Sequence, residues 1–509
     1  MMHQSARLLF AILATLLISG CIKPAPGSVP WQISGTQELP GAQHPVTSSP
    51  PSWMPATRVP GSPYFTPTPD TPRVMPTLRA DQEFYTVQYG DSLGNIALLY
   101  NLDLASLIAA NDLANPDILE IGQVITIPAP QPGAEPSSFK IIPDSELVYG
   151  PVSSTLDIEA FVNERNGYLN AYREEVEKIE MSGAQIVARV SREFSINPRL
   201  LLALLEYRSG WVTTSLIDDS LRDYPMGLQD PARKGLYLQL AWAAKLLNRG
   251  YYLWKINAIS FTSFANHSLA LLSPTINAGT AAVQYMLGVG SYPDAWQRAV
   301  SEEGLFRTYC ELFGIPFDLA FEPLIPADLQ QPALTLPFEP GTLWSFTSGP
   351  HAGWADGSAW AALDFAPPGE QLGCYITDEW VTAVADGLIV RSSSGAVVLD
   401  LDGDGLEQTG WTILYMHIET RDRVAAGARV KTGDRIGHPS CEGGFSNGAH
   451  VHIARRYNGE WISADREIPF NMSGWVSSGD GSEYSGTLTK NGKVVYSWNG
   501  RVDANQIGY

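Results

Sequence analysis

Five hundred and nine residues with 44% hydrophobic content suffice for several cores, and at about 150 residues per domain the length points to three or four domains. Thirty-three Lys and Arg against 53 Asp and Glu leave a net charge of −20, without the cationic footprint that phosphate-tracking proteins need, so nucleic acid is excluded as a partner. The four cysteines, Cys21, Cys310, Cys374 and Cys441, are too few for a disulfide scaffold and form no CxxC pair of the kind a structural zinc site uses.

Residues 1–20 carry one Lys/Arg cation, Arg7, then an apolar run from Leu8 to Ile18, then Ser19 and Gly20 ahead of Cys21. The run is shorter than the roughly 20 residues of a membrane-spanning helix and has the layout of a signal peptide. Ile18-Ser19-Gly20-Cys21 resembles a bacterial lipoprotein lipobox. That resemblance implies cleavage before Cys21, lipidation of Cys21, and an exported chain held to a membrane of the cell envelope by its N-terminal lipid. Residues 21–82 follow as a tether, with 14 prolines among the 61 residues Ile22–Gln82. No core can form there, and at about 3.1 Å per residue a polyproline-like chain of that length reaches on the order of 190 Å.

Residues 83–130 predict a small βααβ domain. A strand falls at Tyr85–Val87, a helix at Ser92–Tyr100, a second helix at Leu104–Asn111 and a strand at Val124–Ile127, with turn and capping chemistry at Gly90, Asp91 and Ser92. The motifs YTVQYGDSLGNIA, NDL and GQVITIP together resemble the LysM module over its whole length. That implies binding of N-acetylglucosamine-containing glycan, as in peptidoglycan, through Gly90, Asp91, Ser92 and Leu93 and the turn around Asn115–Ile118. For any one of these residues the alternative is that it only builds the turn.

A second linker, 131–145, leads to a mostly helical domain at 146–330. Asn197-Pro198 opens a helix with a cap and a first-turn proline, Leu200–Leu205 fill it, and Gly210 closes it. INPRLLLALLEYRSGW followed by YPMGLQ resembles lytic transglycosylases of the lysozyme-like fold, but the position of their catalytic glutamate holds Arg208. Arginine stays protonated and cannot serve as a general acid, and Glu206, two residues away, points about 200° round the helix. The domain is therefore expected to be non-catalytic, a spacer or a glycan-binding relic of a degenerate lysozyme-like fold.

Five of the eight histidines fall between positions 351 and 452, among Gly- and Asp-punctuated strands that predict an antiparallel β domain. In His450-Val451-His452 a strand would project both imidazoles from one face. With His417 and Asp364 in further strands, the set meets the needs of a catalytic zinc, which takes three N/O ligands and keeps an open position. The stretch 331–475 resembles the lysostaphin-type, or LytM-like, zinc endopeptidases in its His351…Asp364 pair, its LYMHI segment with His417, and its closing HVHI. The resemblance implies one Zn²⁺ per catalytic domain, bound by His351, Asp364 and His452, with His417 and His450 handling water and developing oxyanion. One departure is the twelve residues between His351 and Asp364, which place Asp356 as a rival ligand. Asp364 is favoured because it stands in the strand-like LDFAPPG, whereas Ala355-Asp356-Gly357 reads as a turn. His438 is assigned no metal role. Cys374 and Cys441 could pair in an exported chain. Asp400, Asp402, Asp404 and Gly405 begin like a calcium loop, but Trp411 stands where its closing glutamate belongs, so an acidic hairpin is expected. Residues 476–509 are a C-terminal β extension.

The fold class expected is multidomain α+β. The expected activity is a lipid-anchored zinc endopeptidase cutting the peptide stems or cross-bridges of peptidoglycan. The alternative, an inert peptidase fold that binds peptidoglycan and scaffolds or activates another hydrolase, requires a missing ligand, and none is missing.

Overall fold

The structure, a computed structural model, describes residues 73, 74, 76–88, 90–100, 102–113 and 115–509. The expected signal segment, Cys21 and the tether up to residue 72 lie outside them. Strands β1 (Glu83–Thr86) and β2 (Val124–Ile127) pair antiparallel, with helices α1 (Leu93–Leu99) and α2 (Leu104–Ala109) between them in the chain. Ser92 caps α1 by accepting from Asn95 N (3.2 Å), and Asp103 caps α2 by accepting from Ser106 N (3.0 Å). Leu93, Ile96, Leu107, Ile125 and Ile127 give this unit a core of its own.

The helical domain runs through α3 (Ile158–Arg165), α4 (Tyr168–Ala171), the hairpin β3 (Arg173–Val176) and β4 (Ile179–Ser182), α5 (Gly183–Phe194), α6 (Pro198–Ser209), α7 (Asp219–Asp223), α8 (Leu236–Lys255), the hairpin β5 (Phe261–Ser263) and β6 (Leu269–Leu271), α9 (Ala278–Gly288), α10 (Pro293–Ala299) and α11 (Arg307–Phe313). Helix α6 begins and ends on the residues its sequence predicts. Asn197 caps it from Arg199 N (2.9 Å), and Gly210 leaves it in a left-handed conformation. Leu200 through Leu205 are all fully buried, as a helix apolar on every side must be. Residues 131–145, expected as a linker, are instead docked on this domain. Gly133 N donates to Leu269 O (2.7 Å), and Ile141 and Ile142 are fully buried in the helical core, which is where their apolar side chains belong.

The C-terminal region holds β7 (Trp344–His351), β8 (Ala362–Ala366), β9 (Val381–Thr382), β10 (Gly387–Ser393), β11 (Ala396–Asp400), β12 (Trp411–Met416), β13 (Arg429–Val430), β14 (Arg435–Gly437), β15 (Val451–Tyr457), β16 (Glu460–Trp461), β17 (Asn471–Met472), β18 (Trp475–Gly479), β19 (Gly486–Lys490), β20 (Lys493–Tyr496) and β21 (Gln506–Ile507). The main antiparallel sheet has the order β13-β10-β11-β12-β15-β8-β7-β21, with β16 attached to β15. The C-terminal extension is part of this architecture. It contributes β21 to the main sheet, and most of β18 with all of β19 and β20 to a four-stranded sheet, β17-β18-β19-β20, packed beside it.

Strands β8, β11, β12 and β15 are buried on both faces, and the two faces meet different partners. Leu363, Phe365, Val397, Leu399, Ile413, Tyr415, Val451 and Ile453 build the peptidase-side core. Their alternates Ala362, Val398, Leu414 and Ala454 share one core with α5, α6, α8 and α9 of the helical domain. Polar ties seal the seam. Trp461 N donates to Tyr252 Oη (3.0 Å), Asn458 Nδ2 to Leu324 O (2.9 Å) and Tyr251 Oη to Glu460 (3.2 Å), while Lys255 pairs with the same carboxylate. The backbones come so close that a Cβ on Gly459 would stand 2.1 Å from Tyr149 O, so only glycine fits there. Among the described residues no helix is long and apolar enough to cross a membrane.

Candidate metal centre

Three adjacent strands align one row of side chains. Met416 on β12 faces His452 on β15, and His452 faces Asp364 on β8. Strand β7 slips register against β8 after Phe346 and again after Ser348, bulges that carry its last residue, His351, to the same point. His351 Nε2 and His452 Nδ1 are 3.0 Å apart, and Asp364 Oδ1 lies 3.2 Å from each. All three residues are buried, and Asp364 Oδ1 has no hydrogen-bond donor among the described residues.

The remaining ring nitrogens fix the tautomers. His351 Nδ1 is 2.9 Å from Gly349 O and His452 Nε2 is 3.2 Å from Gly353 O. A carbonyl can only accept, so both of those nitrogens carry a proton, and in the neutral imidazoles the two facing nitrogens carry lone pairs. Two lone pairs and an orphaned carboxylate oxygen converging inside a buried site need a cation between them. Tetrahedral ligand atoms about 2.0–2.1 Å from zinc lie about 3.3 Å from one another, close to this spacing. The site therefore fits zinc, with the backbone carbonyls of Gly349 and Gly353 orienting its imidazoles.

His417 and His450 stand beside this group, their ring centres 4.5 Å apart. His417 Nδ1 donates to Glu442 O (2.8 Å) and His450 Nδ1 to Gly448 O (2.8 Å), leaving both Nε2 atoms free of backbone partners. His417 follows β12 in a left-handed conformation, the kind of backbone strain that persists where function requires it. Burial, with His450 and His452 alongside, holds the His417 imidazole well below its ordinary range. Burial likewise lowers His452. For His351 burial acts in the same sense, but the Asp364 carboxylate outweighs it and the imidazole is raised. Burial opposes ionisation of Asp364, yet His351 and His450 hold it well below the carboxylate range.

Of the other residues singled out in the sequence, Asp356 lies outside the group, exposed and paired with Lys245 of α8. His438 donates from Nδ1 to Glu379 O (2.8 Å) and packs on Trp380 (3.9 Å), away from the triad. Cys374 and Cys441 are disulfide-bonded, their Cα atoms 5.7 Å apart, and join two loops that border the site. In the acidic hairpin, Asp400 Oδ1 accepts from Asp402 N and Gly403 N (3.1 Å each) and Oδ2 from Gly405 N (2.9 Å). Arg208 is half-buried, and Glu206 is occupied in closing the turn after α6, accepting from Val212 N (2.9 Å) and Thr213 N (3.0 Å). In the βααβ unit, Gly90 supplies a left-handed turn residue, Asp91 accepts from Tyr85 Oη (2.8 Å) and Gln88 N (2.7 Å), Ser92 caps α1, and Leu93 is buried.

One contributor has no motif to betray it. Tyr484, between β18 and β19, stacks on the His351 ring (centres 4.8 Å, 25°), and its hydroxyl is pushed up to about 12 by burial and by Glu483 and Asp364. Its backbone pairs with the end of β7, through Gly349 N to Tyr484 O (2.7 Å) and Tyr484 N to Pro350 O (3.0 Å).

The comparisons assign segments of this chain to known domain families. Residues 368–464 match peptidase family M23, residues 85–128 the LysM domain, and residues 140–326 the N-terminal domain of LasA. The chain is 24% identical over 347 residues to Protease LasA of Pseudomonas aeruginosa strain UCBPP-PA14, covering 64% of this chain and 76% of that protein. Its LysM segment is 51% identical over 45 residues to the secreted LysM effector ECP6 of Passalora fulva, covering 9% of this chain and 20% of that protein. Among solved structures it is similar to the M23 metalloprotease pseudoalterin (25% identity, 33% of this chain and 96% of that one, TM-score 0.28). It is also similar to the catalytic domain of lysostaphin from Staphylococcus simulans (23% identity, 25% and 89%, TM-score 0.17). The helical domain thus matches a LasA-type segment.

Proposed function

We propose that this chain is a zinc endopeptidase that hydrolyses peptide stems or cross-bridges of peptidoglycan, exported and tethered by a lipid on Cys21, with its LysM domain holding the glycan. The observation that carries the reading is the orphaned Asp364 Oδ1 set 3.2 Å from two imidazole nitrogens whose lone pairs face it. The family M23 match, the likeness to Protease LasA and the LysM domain support the substrate class.

His351, Asp364 and His452 would hold the ion, which when bound supplies Lewis acidity toward a scissile carbonyl and a water. His417 and His450 donate Nδ1–H to backbone carbonyls and line the cleft, with His450 Nε2 3.7 Å from Asp364 Oδ2. In this reading the two imidazoles take the proton of the attacking water and pass one to the leaving amine. The LysM domain and tether raise the local concentration of wall peptide at the cleft, as linked modules do.

The test is zinc analysis of the purified protein, followed by mass spectrometry of muropeptides released from peptidoglycan. About one zinc per chain and chelator-sensitive cleavage of peptide bonds are expected. Undiminished cleavage after complete metal removal would overturn the proposal.

A further inference from the structure

The two imidazoles beside the metal group take their orientation from one short segment. His417 Nδ1 donates to Glu442 O and His450 Nδ1 to Gly448 O, at 2.8 Å each. Both acceptors lie in the loop 441–449, Cys-Glu-Gly-Gly-Phe-Ser-Asn-Gly-Ala, between β14 and β15. Three of its nine residues are glycine, so left to itself the loop would sample many backbone states and its carbonyls would hold no direction. Close packing nonetheless requires glycine there. A Cβ on Gly443 would stand 2.2 Å from Ser394 O, and one on Gly395 would stand 2.5 Å from Glu442 O, because the loop lies against the β10–β11 turn.

Rigidity therefore has to come from outside the loop, and two consecutive residues supply it at both ends. Cys374 is disulfide-bonded to Cys441, the first loop residue, and Gly373 O accepts from N of Ala449, the last (3.0 Å). Cys441 immediately precedes the residue whose carbonyl holds His417, and Ala449 immediately follows the one whose carbonyl holds His450. Between them, Ser446 Oγ donates to Gly448 O (2.8 Å) and lies 3.4 Å from Cys441 Sγ. On the His417 side the Glu442 carboxylate adds an anchor, accepting from Thr420 N (2.9 Å) and Thr420 Oγ1 (2.7 Å), with Arg423 Nη1 at 3.5 Å. Arg501 of the C-terminal extension secures the Cys374 segment in turn, donating to Tyr375 Oη (2.6 Å) and Gly369 O (3.4 Å).

We infer that the Cys374–Cys441 bond and the Glu442 carboxylate are the positioning clamp of the peptidase, fixing the loop whose carbonyls aim His417 and His450 and thereby setting turnover. This rests on the peptidase reading above. The metal group is supported separately: His351 and His452 lean on Gly349 O and Gly353 O, which lie outside the loop. Opening the clamp should therefore slow turnover and leave the ion bound.

The experiment compares the full chain with Cys374→Ser/Cys441→Ser, with Glu442→Ala, which keeps the backbone carbonyl but loses the Thr420 anchor, and with Glu442→Gln, which keeps an acceptor for Thr420 N. Zinc content, kcat and KM are measured on a peptide containing the bond mapped in muropeptides, at a temperature where circular dichroism shows the proteins folded. The cysteine variant should keep about one zinc per chain and its KM, and lose kcat about 10–100-fold, the scale of a misplacement of about 1 Å in a catalytic group. Glu442→Ala should lose kcat in the same way but less, and Glu442→Gln should recover most of it. All the substitutions combined should cost less than the product of the separate losses, because both act on one loop. Full kcat in the folded cysteine variant makes the bond merely structural and overturns the clamp while leaving the peptidase standing. Zinc loss in step with kcat also overturns it, since the loop would then support the metal group. Where the cysteine variant does not fold, Glu442→Ala decides, and full kcat there overturns the clamp. If the unaltered protein cleaves no peptide bond, the peptidase reading falls and the clamp with it.

Discussion

Glu407 offers a quantitative test of how the sheet is joined to the helical domain. Its carboxylate is buried between two guanidinium groups, with Arg391 Nε and Nη2 at 2.7 and 3.0 Å and Arg456 Nη2 at 2.8 Å. Arg456 is itself buried at the seam, its guanidinium over the Trp461 ring at 4.9 Å. Burial opposes the charge on Glu407, but the two arginines win and hold its pKa down from 4.5 to about 2. At 1.36 kcal/mol per pH unit that difference is about 3 kcal/mol of folding stability. Because the folded pKa is the lower one, this stability is fully present above pH 4.5 and is lost as the pH falls toward 2. Glu407→Gln leaves the buried Arg456 and the half-buried Arg391 without their counter-charge and should cost about 3–5 kcal/mol at neutral pH. The assay is urea denaturation between pH 7 and pH 3, followed by fluorescence and by far-UV circular dichroism. The substituted protein should unfold at lower urea and lose less further stability on acidification than the unaltered protein. Replacing Arg391, Glu407 and Arg456 together by Met, Leu and Met should cost less than Glu407→Gln alone, since no charge is then stranded. A Glu407→Gln protein within about 1 kcal/mol of the original, with the same acid slope, would refute the reasoning.

Asp364→Ala should abolish zinc binding while Asp356→Ala leaves it intact, since Asp356 is exposed and bonded to Lys245; metal analysis after dialysis checks both, and the reverse result would exchange the two residues. His417→Ala and His450→Ala should each retain zinc but lower kcat by about 10²–10⁴-fold, the usual contribution of a proton-transferring side chain. Loss of zinc in either would place that imidazole among the ligands instead.

Much of the site is legible because the strand period of two is strict. His450-Val451-His452 puts both imidazoles on one face, and the LDFAPPG context selects Asp364, which proves to be the cross-strand partner of His452. What the motifs do not carry is the third dimension. Tyr484 reaches His351 through a hairpin of the C-terminal extension, and no spacing in the chain records that approach. The helical domain reads as a spacer because Arg208 removes its catalytic reading. Its packing role is written elsewhere, in the unbroken apolar runs AVVL and WTILYM. A half-solvated antiparallel strand would alternate, whereas these strands must be covered on both faces. The cover is α5, α6, α8 and α9. Residues 131–145 misread as linker for a related reason: proline and glycine mark an irregular path, yet Ile141 and Ile142 anchor it.

Double coverage also accounts for where the metal group sits. Its ligands must be desolvated and held by second partners, which favours the interior, yet a peptide must reach them, which favours the surface. Along β12, β15 and β8 the Leu414–Ala454–Ala362 row lies in the helical core, Met416 in the next row still belongs to that core, and its cross-strand neighbours His452 and Asp364 belong to the metal group. There His351, Asp364 and His452 are buried by their own neighbours, including the Tyr484 ring, while His417 and His450 border an open cleft. The helical domain thus does two things with one surface. It removes the apolar sheet face from water, and residues at its edge line one side of the cleft over the metal group.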